Sequence, residues 1–587
     1  MKITTILLMI LLILVPQALA KTGHMKLLAV SETEDGNITG SIADLYIDIR
    51  PGEGRVFIDT YPLTKIDTQI STRFAKEITC DMLEMDCSGY DFFYTIRGES
   101  GIIGGPSAGG AIAVLTATIL ENAQINEEIA MTGTINSGGI IGPIAGLKEK
   151  IEAAAKDGIK KVIIPNQEIE TNESNTTQKD YETKYNITIV KVNELREALK
   201  EYNGLVKEEP QQELAIAEEY SDTMKYLAEK LCEKNKELQR QLSTYDLTNN
   251  ETFNETLVQE NKAAINLTNK AEEAIKKEMY YSAASYCFGA NVKHQHLILI
   301  LKNITKEQYF QKIEQLIKET STFDQEISKK QKETITDLEA YMVVKERIQE
   351  TLSYIKDSQE SYTNNESYMY SLAYAMERLY SARSWAEFFG KKGKKFELGI
   401  QELKNSCQEK IAEAEERYQY ARIFFPTMLE NIKEGIDYAY ADNKKEEYDL
   451  CLFKASQAKA EADLIISVLG IEEKQIDALL ETKMKVAERN IVRQTKKGVF
   501  PIVGYSYYEY AKSLKEQDKS SALLYLEYAL ELSNLDMYFK EKNIIHWKRI
   551  IDWKQAIMFT AGLATGIMVT ILIKRNKNNP KKKRKKS

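Results

Sequence analysis

Near residue 205 this chain changes its hydrophobic rhythm, and no single kind of fold accommodates both halves. From about Met25 to Asn203, short apolar and β-branched runs (RVFIDTY, YDFFYTI, EIAMTGTI, KKVIIP, NITIVKV) alternate with helical stretches around Asp67–Leu83, Ser107–Asn122 and Leu147–Asp157. Such interleaving predicts an α/β or α+β domain, with Gly138-Gly139 marking a turn. After Glu208 the strand signals vanish, and helices rich in Glu, Lys, Ala, Leu and Tyr run to about Arg549. Runs such as YYSAASYCFGA and YYEYAKSLKEQDKSSALLYLEYA suit stacked helical hairpins without a fixed period, a tetratricopeptide-like or irregular α-array. Their aromatic stripes read as core rather than as a ligand groove. At 587 residues the chain exceeds what one core sustains.

The two ends read as membrane-directed. Met1–Ala20 has one early lysine, an apolar run from Ile6 to Val15, Pro16, and the small-residue ending Ala18-Leu19-Ala20, the pattern of a secretory signal peptide. An uncleaved anchor is the other reading, although the run is shorter than the roughly 20 residues that span a bilayer. Ala556–Ile573 carries no charge, is preceded by Trp547 and Trp553, and is followed by nine lysines and arginines. These features predict a single transmembrane helix over 555–573 with a basic cytoplasmic tail at 574–587. The expected organisation is then a signal peptide at 1–20, a mixed domain at 21–205 and a helical domain at 206–550, both outside the cytoplasm. Removing the nine tail cations and Lys2 from the net charge of −8 leaves about −18 for that exterior part, a poor partner for nucleic acid.

Export agrees with two further features. Asn-x-Ser/Thr sequons occur at Asn37, Asn172, Asn175, Asn186, Asn250, Asn254, Asn266, Asn303 and Asn365, so a glycoprotein is expected. The six cysteines fall as Cys80 and Cys87, Cys232 and Cys287, and Cys407 and Cys451. Sequential pairing is the economical choice among 15 connectivities. A GxxxG spacing at Gly562 and Gly566 leaves packing of two copies open.

The chemistry is narrowed first by what the sequence lacks. There is no Gly-x-x-x-x-Gly-Lys-Ser/Thr phosphate loop. His24 is the only histidine of the mixed domain, which argues against a Ser-His-Asp triad. His294 and His296 lie two apart, on different faces of a helix, and no Cys/His cluster completes a metal site. These histidines read as structural, the pair Glu127-Glu128 as solvated surface, and no cofactor or metal is expected. Serine with lysine remains, because burial lowers a lysine pKa from about 10.4 toward neutrality and lets the amine take a hydroxyl proton. The segment Gly104-Gly105-Pro106-Ser107-Ala108-Gly109-Gly110 places Ser107 at a strand-to-helix turn, where backbone N–H groups and the helix N-terminus suit an oxyanion. A serine N-cap is the plainer reading, but it leaves the glycines unexplained.

The stretch GGPSAGGAIAVLTATILENAQINEEIAMTGTINSGGIIGPIAGLKEKIEAAAKDGIKKVIIP resembles the proteolytic domain of Lon-type peptidases, continuously from about Gly101 to Pro165. The resemblance implies an α/β Lon-type fold, with Ser107 as nucleophile framed by Pro106, Ala108 and Gly109. It implies Lys150, 43 positions on and the second lysine of Leu-Lys-Glu-Lys, as general base, and Thr132 of Met-Thr-Gly as the group that holds its amine. Lys148, two residues from Lys150, is expected on another, solvated face. Polypeptide substrates and a ring-like homo-oligomer are further implications. Two departures stand out. Gly104 occupies a position where the family often has an acidic residue, and a helical region replaces any ATP-driven module. The expectation is an exported, membrane-tethered, ATP-independent, archaeal-style Lon-like endopeptidase acting on unfolded or flexible chains, more active toward alkaline pH. A surface scaffold with a retained but inactive fold is the alternative, and self-processing near Val206–Gln212 a third.

Overall fold

Alternation of Ala43, Leu45, Ile47 and Ile49 with Asp44, Tyr46, Asp48 and Arg50 makes a strand with one buried side, and a seven-stranded sheet grows around it. The computed structural model describes residues 21–32, 38–98, 105–167, 169, 178–205, 218–245, 255–364, 368–427 and 429–542. The strands are β1 (Lys21–Glu32), β2 (Ile38–Pro51), β3 (Val56–Tyr61), β4 (Tyr90–Gly98), β5 (Ile129–Met131), β8 (Lys161–Pro165) and β9 (Thr188–Val192), in the order β3-β4-β2-β1-β5-β8-β9. β2 pairs antiparallel with β1 and β4, and the remaining neighbours run parallel. β6 (Thr134–Asn136) and β7 (Ile140–Gly142) form a separate hairpin turning at Ser137–Gly139, where Gly138-Gly139 was expected to turn.

Two layers of helix cover the sheet. On one face, Leu45, Ile47, Phe92 and Ile96 pack under α1 (Ile66–Leu83), α2 (Gly109–Leu120) and α5 (Leu195–Asn203). Every residue of α2 is buried, including Thr116 and Thr118, whose hydroxyls donate to the Ile112 and Val114 carbonyls. On the other face, Leu28, Val162 and Ile164 pack against α3 (Leu147–Lys156) and α4 (Gln178–Tyr185). The mixed α/β expectation holds. One expected strand, EIAMTGTI, divides instead into β5 and β6 around Thr132-Gly133.

Twelve helices follow among the described residues: α6 (Glu218–Leu242), α7 (Glu255–Lys276), α8 (Tyr280–Leu301), α9 (Lys306–Ile327), α10 (Ile335–Asn364), α11 (Tyr368–Trp385), α12 (Ile400–Phe424), α13 (Glu430–Lys444), α14 (Tyr448–Ser467), α15 (Ile476–Lys496), α16 (Ile502–Leu514) and α17 (Lys519–Leu532). Disulfides join Cys80 to Cys87, Cys232 to Cys287 and Cys407 to Cys451, the sequential pairing expected. Of the sequons, Asn186, Asn266 and Asn303 are described and all three are exposed. No described helix is long and apolar enough to cross a membrane. The signal peptide, the apolar segment at 555–573, the basic tail, Gly104, the Val206–Gln212 segment and the other six sequons lie outside the described residues.

Residues through Lys540 form one compact unit, and α1 is its seam. Ile70, Phe74, Glu77, Asp81 and Glu84 recur every three or four positions and present one stripe to the helical region. Ile70 is buried with Tyr420, Ala462 and Ile466. The Arg417 guanidinium lies 3.3 Å from the centre of the Phe74 ring and donates to Glu77 at 3.1 Å, while Lys459 donates to Glu77 at 2.8 Å. Arg493 approaches Asp81 at 3.4 Å, and Lys497 approaches Glu84 at 3.3 Å.

The β6–β7 turn is a second point of attachment. Ser137 Oγ donates to Glu527 at 2.5 Å, and Glu527 also pairs with the fully buried Lys483. Gly138 has φ 68°, and a Cβ there would lie 2.6 Å from Val486, so this turn admits only glycine. Glu527→Ala strands the Lys483 ammonium in the interior, at an expected cost of about 3–5 kcal/mol. Denaturant unfolding of the variant checks this value. Because both attachments cross between the regions, wild type is expected to unfold in one transition; separate transitions would contradict it.

Candidate active site

Gly105, Pro106, Ser107 and Ala108 form a single 3₁₀ turn leading into α2, and α1 holds that turn from behind. Thr68 Oγ1 donates to the Gly105 carbonyl and Ser71 Oγ to the Pro106 carbonyl, both at 3.2 Å. Gly109 is where the turn meets its support. An added Cβ would lie 2.6 Å from Ser71 Oγ and 2.7 Å from Ile135 of the hairpin. The glycine thus allows a close approach that any side chain would prevent. The Ser107 hydroxyl caps no helix: the α2 N-cap is Ala108, without a side-chain bond. The plainer reading of the serine therefore does not apply.

The chain between β5 and β6 grips the backbone of the same serine. Gly133 N–H donates to the Ser107 carbonyl at 2.9 Å, and Thr132 Oγ1 donates to that carbonyl at 3.3 Å. In return, Gly110 N–H donates to the Gly133 carbonyl at 2.9 Å. Gly133 thereby leaves the sheet ladder, which is the physical reason EIAMTGTI is two strands and not one.

Lys150 enters from α3. Leu147, Lys150, Ile151 and Ala154 share the buried side of this helix, so the lysine sits in an apolar stripe and is 2% exposed. Its Nζ donates to Ser107 Oγ at 2.9 Å and to Thr132 Oγ1 at 3.3 Å. Burial alone pushes the Lys150 pKa down to about 8. Ser107 itself is half-buried. The structure thus brings together Ser107, Lys150 and Thr132, with Pro106, Ala108 and Gly109 around the serine. The sequence reading missed Thr68 and Ser71, whose only signal is an i, i+3 pair of small hydroxyls on α1.

Neighbouring expectations separate. Lys148 is partly exposed, on a different side of α3 from the buried Lys150. Glu127 and Glu128 are exposed. Buried His294 accepts from Asn235 at 3.2 Å with its pKa pushed down to about 4, while His296 lies 3.0 Å from Glu260. His24 meets Asp44 at 2.9 Å, away from the serine.

A protonated amine in this setting raises the free energy of the fold. The folded Lys150 pKa lies below its ordinary value of 10.5, so the unfolded chain binds the proton more tightly. Stability therefore rises with pH between about 8 and 10.5 and is reduced below that window. Lys150→Met is expected to stabilise the protein at pH 7 by up to about 3 kcal/mol, and to lose that advantage at pH 10. Thermal melts of both proteins at the two pH values measure the difference, and an equal gap at both would refute the burial account.

Comparison with known proteins finds similarity over the segment that carries this site. The family described as Lon protease (S16) C-terminal proteolytic domain matches residues 100–203. The chain is 41% identical over 96 residues to the Lon protease of Brucella suis biovar 1 (strain 1330), covering 16% of this chain and 11% of that protein. It is 42% identical over 95 residues to the Lon protease of Helicobacter pylori (strain J99 / ATCC 700824), again 16% and 11%. With the Lon protease of Paraburkholderia phytofirmans (strain DSM 17436 / LMG 22146 / PsJN) the identity is 31% over 133 residues, 22% of this chain and 16% of the relative. The matched part is thus a sixth or less of the length of these relatives.

Proposed function

Starting from residues 100–203 as a Lon-type peptidase domain, we propose that the chain is a serine endopeptidase with a Ser107–Lys150 dyad. The observation that carries this reading is the buried Lys150 amine 2.9 Å from Ser107 Oγ, with its pKa lowered to about 8. At that pKa a useful fraction of the amine is neutral at physiological pH and can act as general base.

In the proposed reaction, neutral Lys150 takes the Ser107 proton as Oγ attacks the carbonyl carbon of a peptide bond. The tetrahedral oxyanion is received by backbone N–H groups near Ser107. Gly109 N–H and Gly110 N–H are excluded from this role because they serve the Pro106 and Gly133 carbonyls. Protonated Lys150 then gives its proton to the departing amine, leaving an ester on Ser107. Water attacks the ester with Lys150 again as base, restoring the hydroxyl and releasing the acid. Thr132 positions the amine throughout, through the contact at 3.3 Å.

The substrates proposed are unfolded or flexible polypeptides cleaved without nucleotide, since the sequence holds no Walker-type phosphate loop to drive unfolding. We further propose that the protein is a single-pass membrane protein, with the peptidase and helical regions outside the cytoplasm and residues 574–587 inside. Three paired disulfides support an oxidising compartment. Retention in the membrane fraction after alkaline carbonate extraction tests the anchor, and release would refute it.

Full-length protein is expected to cleave unfolded casein without nucleotide. Ser107→Ala and Lys150→Ala should each reduce kcat/KM by about a thousandfold or more. The wild-type kcat/KM should rise with pH through an apparent pKa of about 8, as the amine loses its proton. A profile flat from pH 6 to 10 would remove Lys150 from the role of base. Inert protein in every form would favour the scaffold reading.

A further inference from the structure

The depth at which α3 lies against the sheet is set outside the site itself, at the end of the β1–β2 pair. Register places Leu28 opposite Ile42 and Val30 opposite Gly40. Alternation along each strand turns all four positions to one side of the sheet, where Leu28 and Ile42 pack in the same cluster as Leu147 and Ile151 of α3. Three of the four positions carry apolar side chains. The fourth, Gly40, leaves a notch in that layer.

The helix fills the notch with backbone. A Cβ on Gly40 would lie 1.9 Å from the Glu149 carbonyl oxygen and 2.9 Å from Ala153 Cβ, one turn further along α3. No side chain tolerates the first of these distances, so even alanine would force strand and helix apart by about 1 Å or more. Beside the notch, Val30 meets the residue that precedes the helix, since a Cβ on Gly146 would lie 2.7 Å from Val30 Cγ1. The first turn of α3 is thus seated on β2 at Gly40 and on β1 at Val30.

That turn carries Lys150. Its N–H donates to the Gly146 carbonyl at 3.1 Å, and its neighbour in the chain is Glu149, whose carbonyl enters the notch. A close-packed interior passes such a displacement on rather than absorbing it. Lys150 Nζ stands 2.9 Å from Ser107 Oγ, so retreat of α3 would lengthen that contact and open the amine to water. Misplacement by about 1 Å costs about a hundredfold in rate where reacting groups must be aligned. No charge would compensate. Among the described residues the amine donates only to the Ser107 and Thr132 hydroxyls, and Lys148, Glu149 and Glu152 on α3, like Lys26 and Asp44 on β1 and β2, take no part in its titration.

We propose that Gly40 is a positioning residue for the general base: by admitting the backbone of α3 to the sheet, it sets how deeply Lys150 is withdrawn from water and how closely its amine meets Ser107. This role rests on the reading of Lys150 as the base of a peptidase.

The test is Gly40→Ala in the full-length protein, with unfolded casein as substrate and no nucleotide. At pH 7, kcat/KM should fall by about a hundredfold, and the loss should shrink to about tenfold or less at pH 10. The apparent pKa of the rate profile should rise from about 8 toward the ordinary 10.5. A second readout needs no turnover. Lys150→Met is expected to raise the wild-type Tm at pH 7, and in the Gly40→Ala background, where the amine is hydrated, to raise it by less than about half as much. Val30→Ala, at a side chain 39% exposed, loosens the same turn without a clash. It should move both readouts in the same direction, and it decides the matter if Gly40→Ala does not fold. An apparent pKa still near 8 with only the height of the profile lowered, or an equal gain from Lys150→Met in both backgrounds, makes Gly40 a packing residue alone and overturns the proposal. A wild-type chain that cleaves nothing at any pH refutes the peptidase reading, and the melts then decide by themselves whether Gly40 sets the burial of the amine.

Discussion

Withdrawal of a single amine from water is the constraint around which the candidate site is built. Lys150 has no charged neighbour shaping its titration; burial is the sole cause of its lowered pKa. Where a carboxylate would hold the proton on the lysine, an apolar setting releases it. The lysine must therefore remain dry, and each element around it serves that end. Leu147, Ile151 and Ala154 place the aliphatic stem in the core, and Thr132 supplies a neutral partner besides the serine. A buried amine of this kind costs stability, and the cost is carried by packing elsewhere in the domain.

The supports of the serine are largely backbone, which accounts for its unusual surroundings. The Ser107 carbonyl receives two bonds from Thr132 and Gly133, α1 gives one each to the Pro106 and Gly105 carbonyls, and these require neighbouring chains to come within hydrogen-bond distance of the turn. Bulky residues would hold those chains apart. The small residues around Ser107 thus answer to the approach of α1 on one side and of the β6–β7 hairpin on the other. The hydroxyl is set by geometry that its own helix does not supply.

Much of this was legible in the sequence, for identifiable reasons. α1, α2 and α3 follow their hydrophobic spacing, whereas Lys150 was singled out by the resemblance to Lon-type peptidases, and its place beside Leu147, Ile151 and Ala154 on the buried side of α3 is seen only in the structure. The clamp at Gly133 was not legible as such, because a strand pattern continues through it and only the diverted N–H breaks the ladder. β1, one of the longest strands, escaped notice because adjacent Leu27 and Leu28 are both buried, one under each layer of helices, which destroys the period of two. The stripe of α1 from Ile70 to Glu84 has a readable spacing, yet its partners Arg417, Lys459 and Arg493 lie hundreds of residues away, where no local rule reaches. The tyrosines of α16 and α17 have core-like spacing and pack in or against the helical core, as expected.

The nature of the seam bears on how the two regions work together. Glu77 meets Arg417 and Lys459 where each cation is nearly inaccessible to solvent, so parting the regions would break pairs already stripped of water. A contact of that kind favours a fixed arrangement over a hinge. Fixed attachment in turn gives the β6–β7 hairpin a rigid outer support, through Ser137 and Gly138, while its inner side carries Ile135 against Gly109. Since the base is tuned by exclusion of water and by nothing else, loosening of this hairpin would admit water near the serine and return Lys150 toward its ordinary, protonated state. On the proposed reading, the helical region therefore contributes to catalysis without touching the substrate's reacting atoms, by keeping closed the packing on which the lysine's neutrality depends.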